Sequence, residues 1–399
     1  MPGPAVTTEL AERLKALPPY LFVRIDNLKK EMIAKGVDVI DFGIGDPDTP
    51  TPGAVIEACA KAARDPANHK YPSNWGLVAF REAAAKWMHD HYGVTCNTAN
   101  GILPVLGTKE AIGHIPLAFV NPGDVVLITD PGYPVYRSAT ALASATPYFV
   151  PLVEKNGFLP DYGAIPADVR RRARLMYINY PNNPTAAVAD KAFFRRTVDF
   201  ARGNDIIVVH DAAYLEIAYD GCTPQSFLAV DGATDVGIEF HSLSKTFNMA
   251  GWRTGWAAGN ADVLAGLAKV KSNLDSGMFQ AVQRASVAAL TGPLSSWRDE
   301  LIALYTKRRD ILCDGLNAMG WKVAKPKASF YVWARVPDGM TSAQTATELL
   351  ERGGVVVIPG TGYGDNGEGY IRLSITLDTA RVEEGVRRIE EVFRRWQSR

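Results

Sequence analysis

Short apolar runs rich in β-branched residues recur at 102–106, 125–129, 175–179, 205–210 and 236–242, and longer amphipathic stretches separate them. Runs of this kind read as strands buried on both faces. Their alternation with helical stretches predicts an α/β fold, a mainly parallel sheet sandwiched by helices. Residues 109–120 and 191–203 are expected as crossover helices, the second closed by Gly203 at its C-terminus. Past the apolar segment 261–290 the texture changes to a long helix at 297–319, strands at 330–334 and 354–358, and a terminal helix at 380–396, a smaller α+β unit. No Gly/Ser-rich or charged linker divides the chain, so the units must share it. The expected division is an N-terminal arm and part of the small domain at 1–47, a large domain at 48–290, and a C-terminal small domain at 291–399.

Charge narrows the partners. The 399 residues hold 43 Lys and Arg against 43 Asp and Glu, a net charge of zero. Such a balance offers no basic excess for a nucleic-acid backbone, so no nucleic-acid partner is expected. Cys59, Cys96, Cys222 and Cys313 lie far apart with no CxxC pair, which argues against a zinc site or a disulfide framework and for a reducing, cytoplasmic setting. The first residues lack an apolar signal core, and no window reaches the roughly 18 uninterrupted apolar residues of a membrane span, so no membrane association is expected. The six histidines show no metal-binding spacing, and no metal is expected. His89 and His91 read as a solvated helix end.

The stretch from Ser242 through Ser244 and Lys245 to Arg253 is the most informative. A lysine that must act as a nucleophile needs partial desolvation, and a phosphate-bearing cofactor needs hydroxyl and cationic donors beside it. Taken alone, the stretch reads equally as a surface lysine in a Ser-rich loop. Asp211 and Tyr214 follow the 205–210 strand, where ligands of open α/β sheets gather. There a buried carboxylate can keep a pyridine nitrogen protonated and a tyrosine can reach a ring oxygen; the plain alternative is a helix cap.

Four further segments join these. Asn179-Tyr-Pro-Asn-Asn-Pro-Thr185 ends a strand with two prolines and amides able to donate to an anionic oxygen, or is a simple turn. Gly107-Thr-Lys-Glu-Ala111 opens a helix, whose free N–H groups favour a phosphate. Asp130-Pro-Gly-Tyr133 offers a tyrosine for stacking on a flat ring, or for packing. Arg372 sits in a strand-like apolar context where a guanidinium wants a carboxylate, from the protein or from a substrate.

With these elements in this order, the chain resembles the class I/II pyridoxal-phosphate-dependent aminotransferases of fold type I over essentially its whole length. The resemblance implies a large domain that binds pyridoxal 5'-phosphate, and a transaminase working by alternate half-reactions. It makes Lys245 the lysine that bonds the cofactor and then serves as base, Asp211 the partner of the pyridine nitrogen, and Tyr214 and Asn183 the partners of the ring oxygen. Tyr133 would stack on the ring. Thr108, Lys109, Ser242, Ser244 and Arg253 would hold the phosphate, with Tyr71 from a neighbouring subunit of a homodimer. Arg372 would clamp the substrate carboxylate, Gly45 would line the same end, and Tyr20 and Lys109 would face the distal part of the substrate.

Segments at 17–22, 43–48, 271–280, 325–331 and 362–370 are similar to those of the LL-diaminopimelate aminotransferase subgroup, which implies 2-oxoglutarate as acceptor and a role in lysine biosynthesis. An alanine, aspartate or aromatic transaminase, or a Cβ–S lyase, shares the fold and stays open here; a cofactor-binding regulator lacks the basic DNA-binding module it would need. Two positions depart from the family's pattern. Ala186 stands where glycine is usual, which bears on the backbone after the Asn-Pro-Thr motif, and Trp75 stands where a smaller or polar residue is expected, which bears on the pocket mouth.

Overall fold

A computed structural model describes residues 8–15, 17 and 22–397, except the side chains of 22–25. Its strands, in chain order, are β1 (Ile40–Asp41), β2 (Ile102–Val105), β3 (Val125–Asp130), β4 (Thr146–Pro151), β5 (Ala173–Asn179), β6 (Ile207–Asp211), β7 (Gly237–Ser242), β8 (Gly255–Gly259), β9 (Tyr331–Arg335), β10 (Val355–Val356), β11 (Ile358–Pro359) and β12 (Tyr370–Ser374).

Seven of them form one sheet in the order β2-β8-β7-β6-β5-β3-β4. The pairs from β4 through β7 are parallel, and β8 runs antiparallel to both of its neighbours. Strand β3 is buried along its whole length, as a sheet covered on both faces requires. Helices Thr108–Phe119 and Lys191–Asn204 make two of the crossovers, the latter capped by the Asp190 carboxylate accepting from the Phe193 N–H. The parallel register sets Asn179 opposite Asp211, and Asp211 opposite Phe240, so β5, β6 and β7 end together. Their carboxyl ends deliver Asn179, Asp211 and Ser242 to one rim of the sheet, the place where α/β folds bind ligands.

A second core lies beyond that rim. Ile40 and Phe42 pack there with Leu312, Leu316, Phe330, Val355, Leu373 and Ile389, so the segment around β1 joins the C-terminal third. β1 pairs in parallel with β10, while β9, β12 and β11 form a separate antiparallel sheet. The long helix Ser295–Ala318 carries Arg308, whose buried guanidinium makes two 2.8 Å hydrogen bonds to the Asp48 carboxylate. That bidentate ion pair anchors the loop after β1.

Several expectations are corrected. The helix expected to close on Gly203 runs on to Asn204, and Asp205 takes the left-handed turn at φ 55°, so the next strand begins only at Ile207. The single strand expected at 354–358 is two, β10 and β11, which pair in different sheets. β4 and β8 were not predicted: β4 is largely exposed with two prolines, and β8 reads Gly-Trp-Ala-Ala-Gly, without a β-branched residue. His91 is not simply solvated; it stacks on Trp87 at 3.7 Å and approaches the Glu216 carboxylate at 3.2 Å.

Candidate active site

Between the rim of the large sheet and the second core lies a cleft of about 630 Å³. It is lined by Thr108, Lys109, Tyr133, Asn183, Asp211, Tyr214, Ser242, Ser244, Lys245, Arg253 and Arg372. Gly45 joins them, so twelve of the fourteen residues singled out in the sequence meet in one place. Of the other two, Tyr71 is 94% exposed on the surface, and Tyr20 lies outside the described residues.

Lys245 sits in a one-turn helix, Leu243–Thr246, directly after β7, with the Ser242 hydroxyl accepting from the Ser244 N–H. Its ammonium donates to the Gly45 carbonyl at 2.8 Å and lies 5.4 Å from the centre of the Phe330 ring. Burial lowers its pKa to about 8, against an opposing pull from the Asp46 carboxylate. Gly45 has no room for a side chain, since a Cβ there would lie 2.1 Å from the Tyr331 hydroxyl.

Asp211 is buried at the end of β6. One carboxylate oxygen, Oδ2, accepts from the Tyr136 hydroxyl at 2.9 Å, while Oδ1 is buried without a hydrogen-bond partner. Burial raises the carboxyl pKa, and the Tyr136 hydrogen bond opposes it. Three positions on, Tyr214 shares a 3.1 Å hydroxyl contact with Tyr331.

The phosphate-type donors cluster at the start of the Thr108–Phe119 helix. Gly107 precedes it at φ 76°, and a Cβ there would meet the Arg253 guanidinium at 2.5 Å. Glycine therefore lets cation and helix N-terminus converge, which suits a dianion. At the opposite end, the buried Arg372 donates to Asn183 Oδ1 at 2.9 Å and to the Gly43 carbonyl at 2.6 Å. Its guanidinium lies 4.0 Å from the Tyr331 ring centre and 5.0 Å from that of Tyr363. Its hydrogen bonds among the described residues go to an amide and a backbone carbonyl rather than to a carboxylate, and its Nε has no hydrogen-bond partner.

Sequence reasoning had not singled out five residues of this arrangement: Tyr136, Tyr331, Tyr363, Asp26 and Asp46. Only the fold brings each of them to the cleft or to Asp211. Trp75 packs instead against the core beneath the sheet and is not among the cleft's lining residues. Ala186 adopts φ 57°, the left-handed backbone that glycine takes without penalty.

The family model for aminotransferase class I and II matches residues 37–389. The chain belongs to this family. Class I and II aminotransferases depend on pyridoxal phosphate, and the chain is accordingly a transaminase of fold type I. It is 54% identical over 383 residues to an LL-diaminopimelate aminotransferase of Moorella thermoacetica, covering 96% of this chain and 98% of the relative. It is 55% identical over 379 residues to one of Desulforudis audaxviator, covering 95% and 96%. Among solved aminotransferase-fold structures, substrate-bound BacF from Bacillus subtilis superposes with a TM-score of 0.92 at 38% identity over 96% of this chain and 98% of that one.

The site fits the family's cofactor on its own terms. The unpartnered Asp211 Oδ1 suits a protonated ring nitrogen, the Lys245 amine has a depressed pKa, and the Gly107–Arg253 cradle suits a phosphate. Metal chemistry finds less support. The described residues bring Glu110, His114 and Asp275 together, but the buried Lys271 ammonium already sits 2.9 Å from Glu110 and 3.3 Å from Asp275. Among the described residues no helix is long and apolar enough to cross a membrane.

Proposed function

We propose that the protein transfers the amino group of LL-diaminopimelate to 2-oxoglutarate, giving glutamate and a keto acid that cyclises to tetrahydrodipicolinate in lysine biosynthesis. The observation that carries this reading is the near full-length similarity to LL-diaminopimelate aminotransferases at about half of all positions. The charge of the cleft supports it. Lys109 and Arg372 provide cations for two carboxylates, and the exposed Asp26 and Asp46 add anions along the lining. A substrate with a carboxylate and an ammonium at each end complements that arrangement; aspartate and alanine lack the second ammonium.

Bound pyridoxal phosphate would supply the electron sink that makes the substrate Cα–H acidic. Lys245 moves the proton, because burial leaves much of its amine neutral near pH 8. Asp211 would keep a proton on the ring nitrogen, Tyr214 and Asn183 would serve the ring oxygen, and Tyr133 would lie against the ring. Thr108, Lys109, Ser242, Ser244 and Arg253 would bind the phosphate. Arg372 grips the α-carboxylate with a planar fork that fixes the orientation of the Cα–H bond. Tyr20 belongs with the distal part of the substrate.

The working unit in this reading is a homodimer in which Tyr71 completes the neighbour's phosphate site. Tyr71, Leu274 and Phe279 are all exposed large apolar residues. Their segments are neighbours, since a Cβ at Gly277 would lie 2.8 Å from Pro72. We also assign 1–47 to the arm and small domain, 48–290 to the large domain and 291–399 to the small domain. Four unpaired cysteines support a cytoplasmic setting.

The test is product analysis with LL-diaminopimelate and 2-oxoglutarate. Glutamate formed in step with consumption of the donor, without ammonia, supports the reading. Ammonia release without glutamate identifies a lyase, and glutamate from aspartate or alanine alone identifies a different transaminase.

A further inference from the structure

Asp211 is the residue on which the proposed chemistry leans most, and its support comes from a side chain that never reaches the cleft. Tyr136 lies in the helix Val135–Leu142 and is completely buried. Its hydroxyl donates to Asp211 Oδ2 at 2.9 Å across 75 positions of sequence. The ring is fixed from two sides, stacked on Tyr177 at 4.8 Å and 13° and meeting Tyr133 edge-on at 5.7 Å. Tyr177 is itself tied down, donating to the Ile112 carbonyl at 2.8 Å. The Asp211 backbone is held as well, its carbonyl accepting from Asn179 Nδ2 at 2.6 Å.

We propose that Tyr136 is a positioning residue for the proposed transamination: its hydroxyl occupies one oxygen of Asp211 and keeps the carboxylate a weak enough base to leave the proton on the cofactor's ring nitrogen. The inference rests on the aminotransferase reading of the cleft. A buried carboxylate without a donor is a strong base, because burial disfavours its charge. Were Asp211 to take the proton for itself, the ring would lose its positive charge and its pull on electrons. A charge-assisted hydrogen bond to Oδ2 opposes that transfer while leaving Oδ1 for the ring nitrogen.

The other groups around Asp211 do not replace this contact. His210 and His241 each direct a ring nitrogen to the buried Glu239, at 2.7 Å, and act on Asp211 through space rather than by a hydrogen bond. Glu239 also accepts from the Ser226 hydroxyl and the Phe227 N–H, which fixes that network in place. Tyr214 directs its hydroxyl to Tyr331, and the Tyr177 hydroxyl is occupied by Ile112.

The experiment loads the full-length protein with pyridoxal phosphate labelled with ¹⁵N in the ring and compares wild type with Tyr136→Phe. The wild type should show a protonated ring nitrogen. In Tyr136→Phe the signal should move toward neutral pyridine, a roughly tenfold change in proton partition for one lost hydrogen bond to a charged group, with kcat falling about as much. In an Asp211→Asn background the same substitution should leave both the nitrogen signal and kcat where Asp211→Asn alone puts them. Incorporating 3-fluorotyrosine at position 136 keeps the shape but strengthens the donor, so it should shift the signal the other way. An unmoved nitrogen signal in both position-136 variants overturns the inference, as does an equal kcat loss in the Asp211→Asn background. A wild type that fails to take up the cofactor overturns the aminotransferase reading of the cleft, a separate and earlier failure.

Discussion

The ammonium of Lys245 donates to the backbone carbonyl of Gly45, 2.8 Å away and 200 positions earlier in the chain. One partner follows the end of the central sheet and the other belongs to the loop after β1. The Lys245 amine is thus held by the segment that joins the C-terminal core. Gly45→Ala should disrupt this junction, because a methyl group 2.1 Å from the Tyr331 hydroxyl forces one side to move. Steady-state kinetics should show kcat/KM reduced at least tenfold, on the order of 1.4 kcal/mol of transition-state stabilisation. Unchanged kinetics would show that the junction is irrelevant to turnover.

The depressed pKa of Lys245 sets a pH dependence. The neutral amine is the reactive form, and it accumulates as pH rises through the folded-state value of about 8 rather than through 10.5. The rate of pyridoxal phosphate capture by cofactor-free protein should therefore climb with a midpoint near pH 8. Stopped-flow absorbance across pH 6 to 11 reads it, and a midpoint above 10 would contradict the burial argument.

Arg372→Lys keeps the charge but loses the fork that serves Asn183 and Gly43 on one side and a carboxylate on the other. Substrate KM should rise about tenfold or more while cofactor affinity changes little. An equal loss of both would place Arg372 in the framework of the site rather than at the substrate.

Asp26 is one of the two exposed carboxylates, with Asp46, that distinguish a diamino substrate in this reading. Asp26→Asn should raise KM for LL-diaminopimelate several-fold more than KM for glutamate. Equal effects on the two substrates would remove Asp26 from distal recognition.

Tyr71 and Lys245 allow a complementation test of the proposed shared site. Homodimers of Tyr71→Ala and of Lys245→Ala should each be impaired. Mixed dimers should regain activity, because one of their two sites combines an intact Lys245 with the other chain's intact Tyr71. No recovery on mixing, despite exchange of subunits, would mean that Tyr71 serves its own chain.

Ala186 offers a stability change unconnected with catalysis. A non-glycine residue in the left-handed region costs about 1–2 kcal/mol, and glycine costs about 0.5–1 kcal/mol in chain entropy. At φ 57°, Ala186→Gly should raise stability by about 0.5–1 kcal/mol, visible as a rise of the denaturant midpoint. A lowered midpoint would mean that the buried methyl group contributes more than its backbone strain costs.

The parts of the molecule legible in the sequence are those with local signals. Strand β5 announces itself through a continuous apolar run, and Lys245 through the hydroxyls around it. Strand β8 does not, because Gly255-Trp-Ala-Ala-Gly259 carries no strand-forming pattern and earns its place only by pairing with β2 and β7. The tyrosines that shape the site are silent for a related reason. Tyr136 meets Asp211 and Tyr331 meets Tyr214 through contacts spanning 75 and 117 positions, and a buried tyrosine looks the same in sequence whether its hydroxyl serves a catalytic carboxylate or a backbone carbonyl.

The most direct test of the central claim is a half-reaction. Protein loaded with pyridoxal phosphate is titrated with LL-diaminopimelate in the absence of any keto acid, and the visible absorbance of the bound cofactor is followed. The account predicts that the visible band converts stoichiometrically to the near-ultraviolet band of the aminated cofactor, and that 2-oxoglutarate then restores it. A band that ignores LL-diaminopimelate but responds to aspartate, alanine or an aromatic donor would contradict it.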